Sequence, residues 1–303
     1  MLKNILKFLV SKKYAIKSFP RFGYFYLIYL KIKGYIFFFI ELIFPPKLST
    51  VPIDIVITVA PKDLQKLENC LIGITNNILH PISKVFVIGQ RSSELDIIIQ
   101  KFKCEYINEK ELLNKNELNI KYVYNNIDRS GWLYQQLLNY QAISTLGNEN
   151  FKLAINSDTV FSKKQKFIEN EKMVFNASNT YHHPYFLIAS KLLDLNKTTT
   201  VSFTSHHILY NKKIFMEMIN YIENKYNKKW YKAILDNLDF SILSNHSDFE
   251  TYAQFAIKKY NKFITIKYFF NKDIYEKDFK NFYKNFDTFF YKSLSFHDYL
   301  YKK

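Results

Sequence analysis

The spacing of hydrophobic and polar positions changes several times along the chain, and each change predicts an element. Residues 53–60, IDIVITVA, form an unbroken, largely β-branched run between Pro52 and Pro61 and predict a buried strand. From 63 to 78 the period lengthens, bringing Leu64, Leu67, Leu71 and Ile74 to one face of a helix. KVFVIG (84–89) predicts a second strand, ELDIIIQKF (94–102) a second helix and CEYIN (104–108) a third strand. Strands alternating with helices imply a parallel sheet with right-handed crossovers, a Rossmann-like half. No GxGxxG or GxxxxGK(S/T) follows the first strand, which argues against a dinucleotide or P-loop site.

IDRSGWLYQQLLNYQAISTLG (127–147) predicts a helix with Leu133, Leu137 and Tyr140 on one face, Ser130 as N-cap and Gly147 as C-cap. Gln135, Gln136 and Asn139 fall off that face, and solvated helix surface is their default reading. Asp128 and Arg129 stand just before the helix, where free backbone N–H groups favour anions. FKLAI (151–155) is then a strand, so Asn156-Ser157-Asp158 occupies its C-terminal end. In open α/β sheets that edge is where ligands bind.

In the second half, TTTVSFT (198–204) is β-rich and leads into Ser205-His206-His207. Adjacent histidines on an extended segment face opposite ways, so at most one of His206 and His207 turns toward a site. A buried or merely exposed imidazole is the default for each. His182-His183, before Pro184, reads as a loop pair. KKIFMEMINYIENKY (212–226) is helical, and so is SDFETYAQFAIKKY (247–260), with Phe249, Tyr252, Ala253 and Ala256 inward. Ser247 and Glu250 have capping-box spacing, the plain reading of that carboxylate. The functional alternative makes Asp248 or Glu250 a general base.

The first fifty residues differ. Lys3, Lys7, Lys12, Lys13, Lys17 and Arg21 precede FGYFYLIYLKIKGYIFFFIELIFPP, with no small-residue cleavage site of the secretory kind. Lys31, Lys33 and Gly34 divide the apolar run, and neither half reaches the ~20 residues a bilayer span needs. Two readings stand open: a helix lying in a membrane interface, drawn to anionic headgroups, or a pair of helices packed on the protein's own core. Pro45-Pro46 ends whichever forms.

Composition narrows the class. A chain of 303 residues, 48% hydrophobic and 18% aromatic, is long enough for a sizeable core and excludes general disorder. Cys70 and Cys104 are too few for a disulfide framework and too far apart for CxxC, which points to a reducing compartment. The formal charge of +16 suggests an anionic partner: nucleic acid, a membrane surface or a phosphorylated small molecule. Lysine supplies most of it, scattered along the chain, while arginine stands only at 21, 91 and 129. Nucleic-acid readers lean on arginine, so no nucleic-acid partner is expected.

INSDTVF (155–161) resembles the DxD region of GT-A-fold glycosyltransferases. The order IDIVITVAPKD, GWLYQQLLNYQA, INSDTVF, SFTSHHILYNKKIF, SDFETYAQFA is similar to a bacterial glycosyltransferase-like family of surface-polysaccharide loci (lipooligosaccharide or capsule), over residues 51–300. The resemblance implies a GT-A-like, Rossmann-type mixed sheet flanked by helices, behind an N-terminal membrane-facing helical segment (1–50). A nucleotide-sugar half (51–165) and an acceptor half (166–303) would together move a sugar from a nucleotide-sugar donor to a glycan or glycolipid. Asp128, Arg129, Gln135, Gln136, Asn156 and Asp158 would serve the donor, His206 and His207 the acceptor side, and Glu250 or Asp248 would be the base of an inverting reaction. A divalent metal, Mn²⁺ or Mg²⁺, would rest on Asp158 and a late ligand, His297. Asn156 replaces the first Asp of the motif and adds no charge, which weakens the metal site or makes metal dispensable. The implied location is the cytoplasm, at the inner face of the cytoplasmic membrane with peripheral contact. A sugar-phosphate transferase on the same frame and a non-catalytic basic membrane- or nucleic-acid-binding protein are the alternatives.

Overall fold

The computed structural model of the chain describes residues 21–196, 199–275 and 289–297. The basic positions from Lys3 to Lys17 lie outside the described residues. The first element is α1 (Arg21–Ile43), one continuous helix through Lys31, Lys33 and Gly34, where the sequence predicts a division. Gly34 marks a close approach instead of a break: a Cβ there would sit 2.9 Å from the Phe270 ring. β1 (Ile53–Thr58), α2 (Leu64–Asn77), β2 (Ile82–Gly89), α3 (Ser93–Phe102) and β3 (Glu105–Asn108) follow the alternation read from the sequence. Two short turns, α4 (Glu109–Leu112) and α5 (Lys115–Leu118), and the small hairpin β4 (Val123–Tyr124) and β5 (Ile127–Asp128) lead to α6 (Ser130–Thr145).

After α6 come β6 (Phe151–Ile155), β7 (Thr159–Phe161), β8 (Ile168–Glu169), β9 (Lys172–Ala177) and α7 (His183–Leu193). The described chain continues with β10 (His207–Asn211), α8 (Lys212–Tyr226), α9 (Trp230–Asn237), α10 (Asp248–Tyr260), β11 (Ile264–Tyr268), β12 (Asn271–Tyr275) and β13 (Ser293–His297). The main sheet runs β10-β6-β1-β2-β3. β6, β1, β2 and β3 are parallel, and β10 pairs antiparallel with β6. β1, at the centre, is buried along its whole length, as a strand covered on both faces must be. Two smaller sheets, β11-β9-β8 and β12-β13-β7, stand beside it. This is a mixed α/β fold, a central mixed sheet flanked by helices. No helix among the described residues is long and apolar enough to cross a membrane.

Several local expectations change. His183 and Pro184 open α7 instead of lying in a loop, because proline in a first turn forfeits no hydrogen bond. Residues 199–204 form no strand, only a bridge between Ser178 and Ser202, and Thr198 lies outside the described residues. At α6, Arg129 takes the N-cap position and Ser130 is already helical. The Asp128 carboxylate accepts the Ser130 N–H at 2.8 Å, and the Ser130 hydroxyl accepts the Tyr122 N–H at 2.9 Å.

Candidate functional site

β6 ends at Ile155 and the chain turns at once, with the Thr159 N–H returning to the Asn156 carbonyl at 3.0 Å. The turn is pinned from three sides. The Asn156 N–H donates to the His206 carbonyl at 2.9 Å, the Asp158 carbonyl accepts the Phe296 N–H at 3.0 Å, and the Cys70 thiol faces the Asn156 carbonyl. Ser157 is buried while Asn156 and Asp158 are both half-buried, so the carboxamide and the carboxylate are the members of the triplet that reach toward solvent, and the Thr159 hydroxyl lies 3.4 Å from Asp158 Oδ1. Burial first, and then the Asp158 charge, push the Cys70 thiol far above its ordinary range.

His206 is the hinge of this cluster. Its φ of +66° lies in the left-handed region, which a side chain other than glycine enters only when its surroundings hold it there. The ring stands between the Asn156 carboxamide, 3.4 Å from Nδ1, and the Asp273 carboxylate, 3.8 Å from Nε2. Asp273, on β12, also accepts the Asn271 amide at 3.0 Å. His207 points into the core. It bonds Asn176 at 2.7 Å, lies against Phe161, Phe167 and Phe269, and has its ring pushed down to about 3 by burial and then by His206. An imidazole so placed is a neutral core side chain.

A second polar cluster sits at the end of β1. The register pairs Val56 with Ala154, so two residues further on Thr58 lies beside Asn156. The Thr58 hydroxyl donates to Asn139 Oδ1 at 3.2 Å, and the Asn139 amide donates to Asp248 Oδ2 at 2.9 Å. The Asp248 N–H donates to Gln136 Oε1 at 3.0 Å, and Gln135 donates to the Thr58 carbonyl at 3.4 Å. Gln136 and Asn139 are therefore interior, not the solvated surface that helical spacing alone suggests. Burial lifts the Asp248 carboxyl to about 7 against the lowering effect of the Asn139 bond.

Glu250, one residue beyond Phe249, faces elsewhere. Ser247 caps the helix by accepting the Glu250 N–H at 3.2 Å, but the Glu250 carboxylate is turned away from the cap. Fully buried, it accepts the Ser202 hydroxyl at 2.6 Å, the Phe203 N–H at 3.0 Å and the Gln254 amide at 2.7 Å. It fastens Ser202 and Phe203, which lead to His206, to α10. Arg129 lies 4.6 Å over the Trp132 ring and donates to the Ser244 hydroxyl at 2.9 Å, tying the approach to α10 to the start of α6. Asp128 already occupies that helix start, and bonds from Ser130's side chain and backbone hold its carboxyl below the ordinary range. His297 closes β13; its side chain lies outside the described residues.

The structure thus gathers Thr58, Gln135, Gln136, Asn139 and Asp248 at one strand end and Asn156, Asp158, His206 and Asp273 at its neighbour. Among the described residues no three His, Cys, Asp or Glu side chains close on one point. The carboxylates nearest to solvent there are Asp158 and Asp273, oxygen donors of the kind a hard cation takes. Sequence reasoning missed Asp273, whose partner His206 is a distant stretch of chain, and Lys66, a buried cation bonded to Asp63 at 2.9 Å just after β1. It also missed His246, fully buried against Tyr140 and pushed down to about 3 by burial. An isolated Asp in a polar pentapeptide, NKDIY, gives no local signal.

A profile described as a family of unknown function (DUF6492) matches residues 81–298. No curated protein matches the sequence. Among solved structures, mouse xyloside xylosyltransferase 1 in its apo form is similar at TM-score 0.44 and 12% identity, over 81% of this chain and 97% of that one. The galactosyltransferase LgtC with donor and acceptor sugar analogs is similar at 0.43 and 9%, over 80% and 86%. Glucosyl-3-phosphoglycerate synthase from Mycobacterium tuberculosis, with Mn²⁺ and uridine diphosphate, is similar at 0.31 and 10%, over 60% and 68%. TM-scores this low transfer no function.

Proposed function

The chain belongs to that family of unknown function, and we propose that it is a glycosyltransferase of GT-A type, moving a sugar from a nucleotide-sugar donor to a glycan or glycolipid. The observation that carries this reading is the pair of polar clusters on the adjacent C-terminal ends of β1 and β6, with Asp158 half-buried just beyond the end of β6. Parallel α/β sheets bind phosphorylated ligands at that edge. The segment order of the resemblance leads to the same place.

Asp158, with Asn156 beside it, receives the diphosphate end of the donor together with a Mn²⁺ or Mg²⁺ ion. Such an ion supplies positive charge against the departing nucleotide diphosphate. His206, fixed between Asn156 and Asp273, keeps the carboxamide turned toward the donor. Gln135 and Arg129 bound the donor on the α6 side. For an inverting transfer, Asp248 is the better supplied of the two α10 carboxylates to take the acceptor proton. A carboxyl near 7 is matched to neutral pH, whereas Glu250 has both oxygens engaged.

A thermal-shift panel of UDP, GDP, CMP and dTDP, each with and without Mn²⁺, tests this. At a concentration ~100-fold above its dissociation constant, the product nucleotide stabilises the protein by about 2.7 kcal/mol. Asp158→Ala should abolish the Mn²⁺-dependent part of the shift. A panel with no shift, or a shift indifferent to Asp158, overturns the reading.

A further inference from the structure

We propose that the outward face of α1 lies in the surface of a bilayer containing anionic lipid. Phe25, Tyr29, Ile32, Ile36, Ile40 and Ile43 recur every three or four residues, so they form one stripe along the helix. Each is between 45% and 72% exposed. The opposite stripe, Gly23, Leu27, Leu30, Gly34 and Phe38, already faces the protein. A Cβ on Gly23 would stand 2.4 Å from the Thr200 carbonyl, and one on Gly34 would meet Phe270. α1 is thus apolar on both sides except at Lys31, Lys33 and Glu41, yet covered on one side only. A helix of that pattern normally has both sides out of water.

The occupant follows from size and charge. Twenty-three residues make a helix ~35 Å long, and a stripe ~10 Å wide on it offers on the order of 350 Å². A stable contact between protein copies takes about 800 Å² from each partner, so the stripe alone is too small for a second copy. The helix is also not long and apolar enough to cross a membrane. A surface position remains. Between Phe25 and Ile43 the one fully exposed charge is Lys33, whose ammonium lies over the Tyr29 and Phe37 rings at 5.9 and 5.7 Å. Such a lysine lays its aliphatic stem along the apolar surface and keeps its ammonium in water, as side chains at a membrane interface do.

Where α1 ends, Lys164, Lys166, Lys267 and Lys292 gather round a cleft with Glu41 and Glu169. Lys292 pairs with Glu41 at 2.9 Å and Lys267 with Glu169 at 2.5 Å. Lys164 and Lys166 have no carboxylate partner among the described residues; Lys164 is exposed and donates to the Asn76 carbonyl at 2.5 Å, and Lys166 is half-buried at the rim. Cations beside an apolar stripe select lipid headgroups of negative charge. The inference is independent of the glycosyl-transfer reading.

Co-sedimentation of the full chain with vesicles tests it, comparing phosphatidylcholine alone with phosphatidylcholine plus phosphatidylglycerol. Binding should favour the phosphatidylglycerol vesicles and weaken as salt rises. Ile32→Glu with Ile36→Glu should weaken it about tenfold or more, with an unchanged thermal melt because both positions are exposed. If that pair unfolds the protein, Phe25→Ser with Ile43→Ser at the helix ends replaces it. Lys164→Glu with Lys166→Glu should remove the preference for phosphatidylglycerol. Vesicle binding that ignores the stripe substitutions overturns the proposal. So does a lipid-free dimer that those substitutions dissociate, which would assign the face to a second copy. A rise in vesicle binding on deleting residues 1–20 would assign it to that segment and overturn it equally.

Discussion

Charge gathers near both ends of the β1–β6 pair, and most of it is treated in opposite ways at the two ends. Near their starts, the Lys152 ammonium meets Asp54 Oδ2 at 3.0 Å with both side chains sealed from water. The same oxygen accepts the Glu149 N–H at 3.1 Å. Gly147, at φ +64°, makes room for it: a Cβ there would come within 2.1 Å of Oδ2. Burial pushes the Lys152 amine down, and Asp54 opposes that shift. At the far ends, Asp158 and His206 are half-buried and Asp273 is exposed, while Asp248 beside Thr58 is buried. Charge bonded and closed over by the chain specifies the fold, while charge held in place but left open has capacity for something else.

The largest effect should come from opening the sealed end. Lys152→Ala leaves Asp54 buried without its cation and should cost about 3–5 kcal/mol in urea denaturation. A loss under about 1 kcal/mol would mean that water enters this end and that the contrast between the two ends is false. At the open end the pattern should invert. Asp158→Ala should remove sugar transfer while unfolding stability stays within about 0.5 kcal/mol. Asn156→Asp should retain transfer and tighten Mn²⁺ binding, read by calorimetry.

Glu250→Gln separates fastening from proton transfer. A glutamine presents an N–H pair to neighbours that themselves donate, so stability should fall by about 1–3 kcal/mol. Turnover of the folded fraction should change little. A fall of about 10²–10⁴-fold with stability preserved would instead make Glu250 the base. That same fall is expected for Asp248→Asn.

The smallest effect is a slope with pH. The Asp248 carboxyl titrates at about 7 in the fold against an ordinary 3.8, so between those values the native state keeps a proton that the unfolded chain releases. Its contribution to stability therefore declines as pH rises through that window. His207 and His246, pushed to about 3, act oppositely and lose stability as pH falls below 6.5. Subtracting Asp248→Asn melts from those of the natural chain between about pH 3 and pH 8 (about one unit beyond each side of the relevant range) isolates the carboxylate. A flat difference would mean that water reaches Asp248 and that burial does not set its protonation.

The sheet was legible because its strands announce themselves locally: IDIVITVA and KVFVIG can hardly be anything else, and Asp158 inherits its position from FKLAI. The helix α7 was not, since Pro184 carries the same letter at a helix start as at a break. α1 ran through Lys31–Gly34 because its inner face needed a residue without a side chain, a demand set by Phe270 far along the chain. The Thr58–Asn139–Asp248 relay was hidden for the same reason. Its last bond joins residues 109 positions apart, and amides off an apolar face look identical whether they meet water or a buried carboxylate.

The fastening of Glu250 has a thermodynamic consequence. One turn of α10 holds Asp248 against the end of β1 and, through the Phe203 N–H, holds the segment that presents His206 to Asn156 at the end of β6. Whatever orders one of these walls relieves the other of part of its own ordering cost. If two ligands each ordered one of these walls, their affinities would be coupled without contact, and by reciprocity each would change the other by the same factor. Order of arrival would be set by kinetics alone.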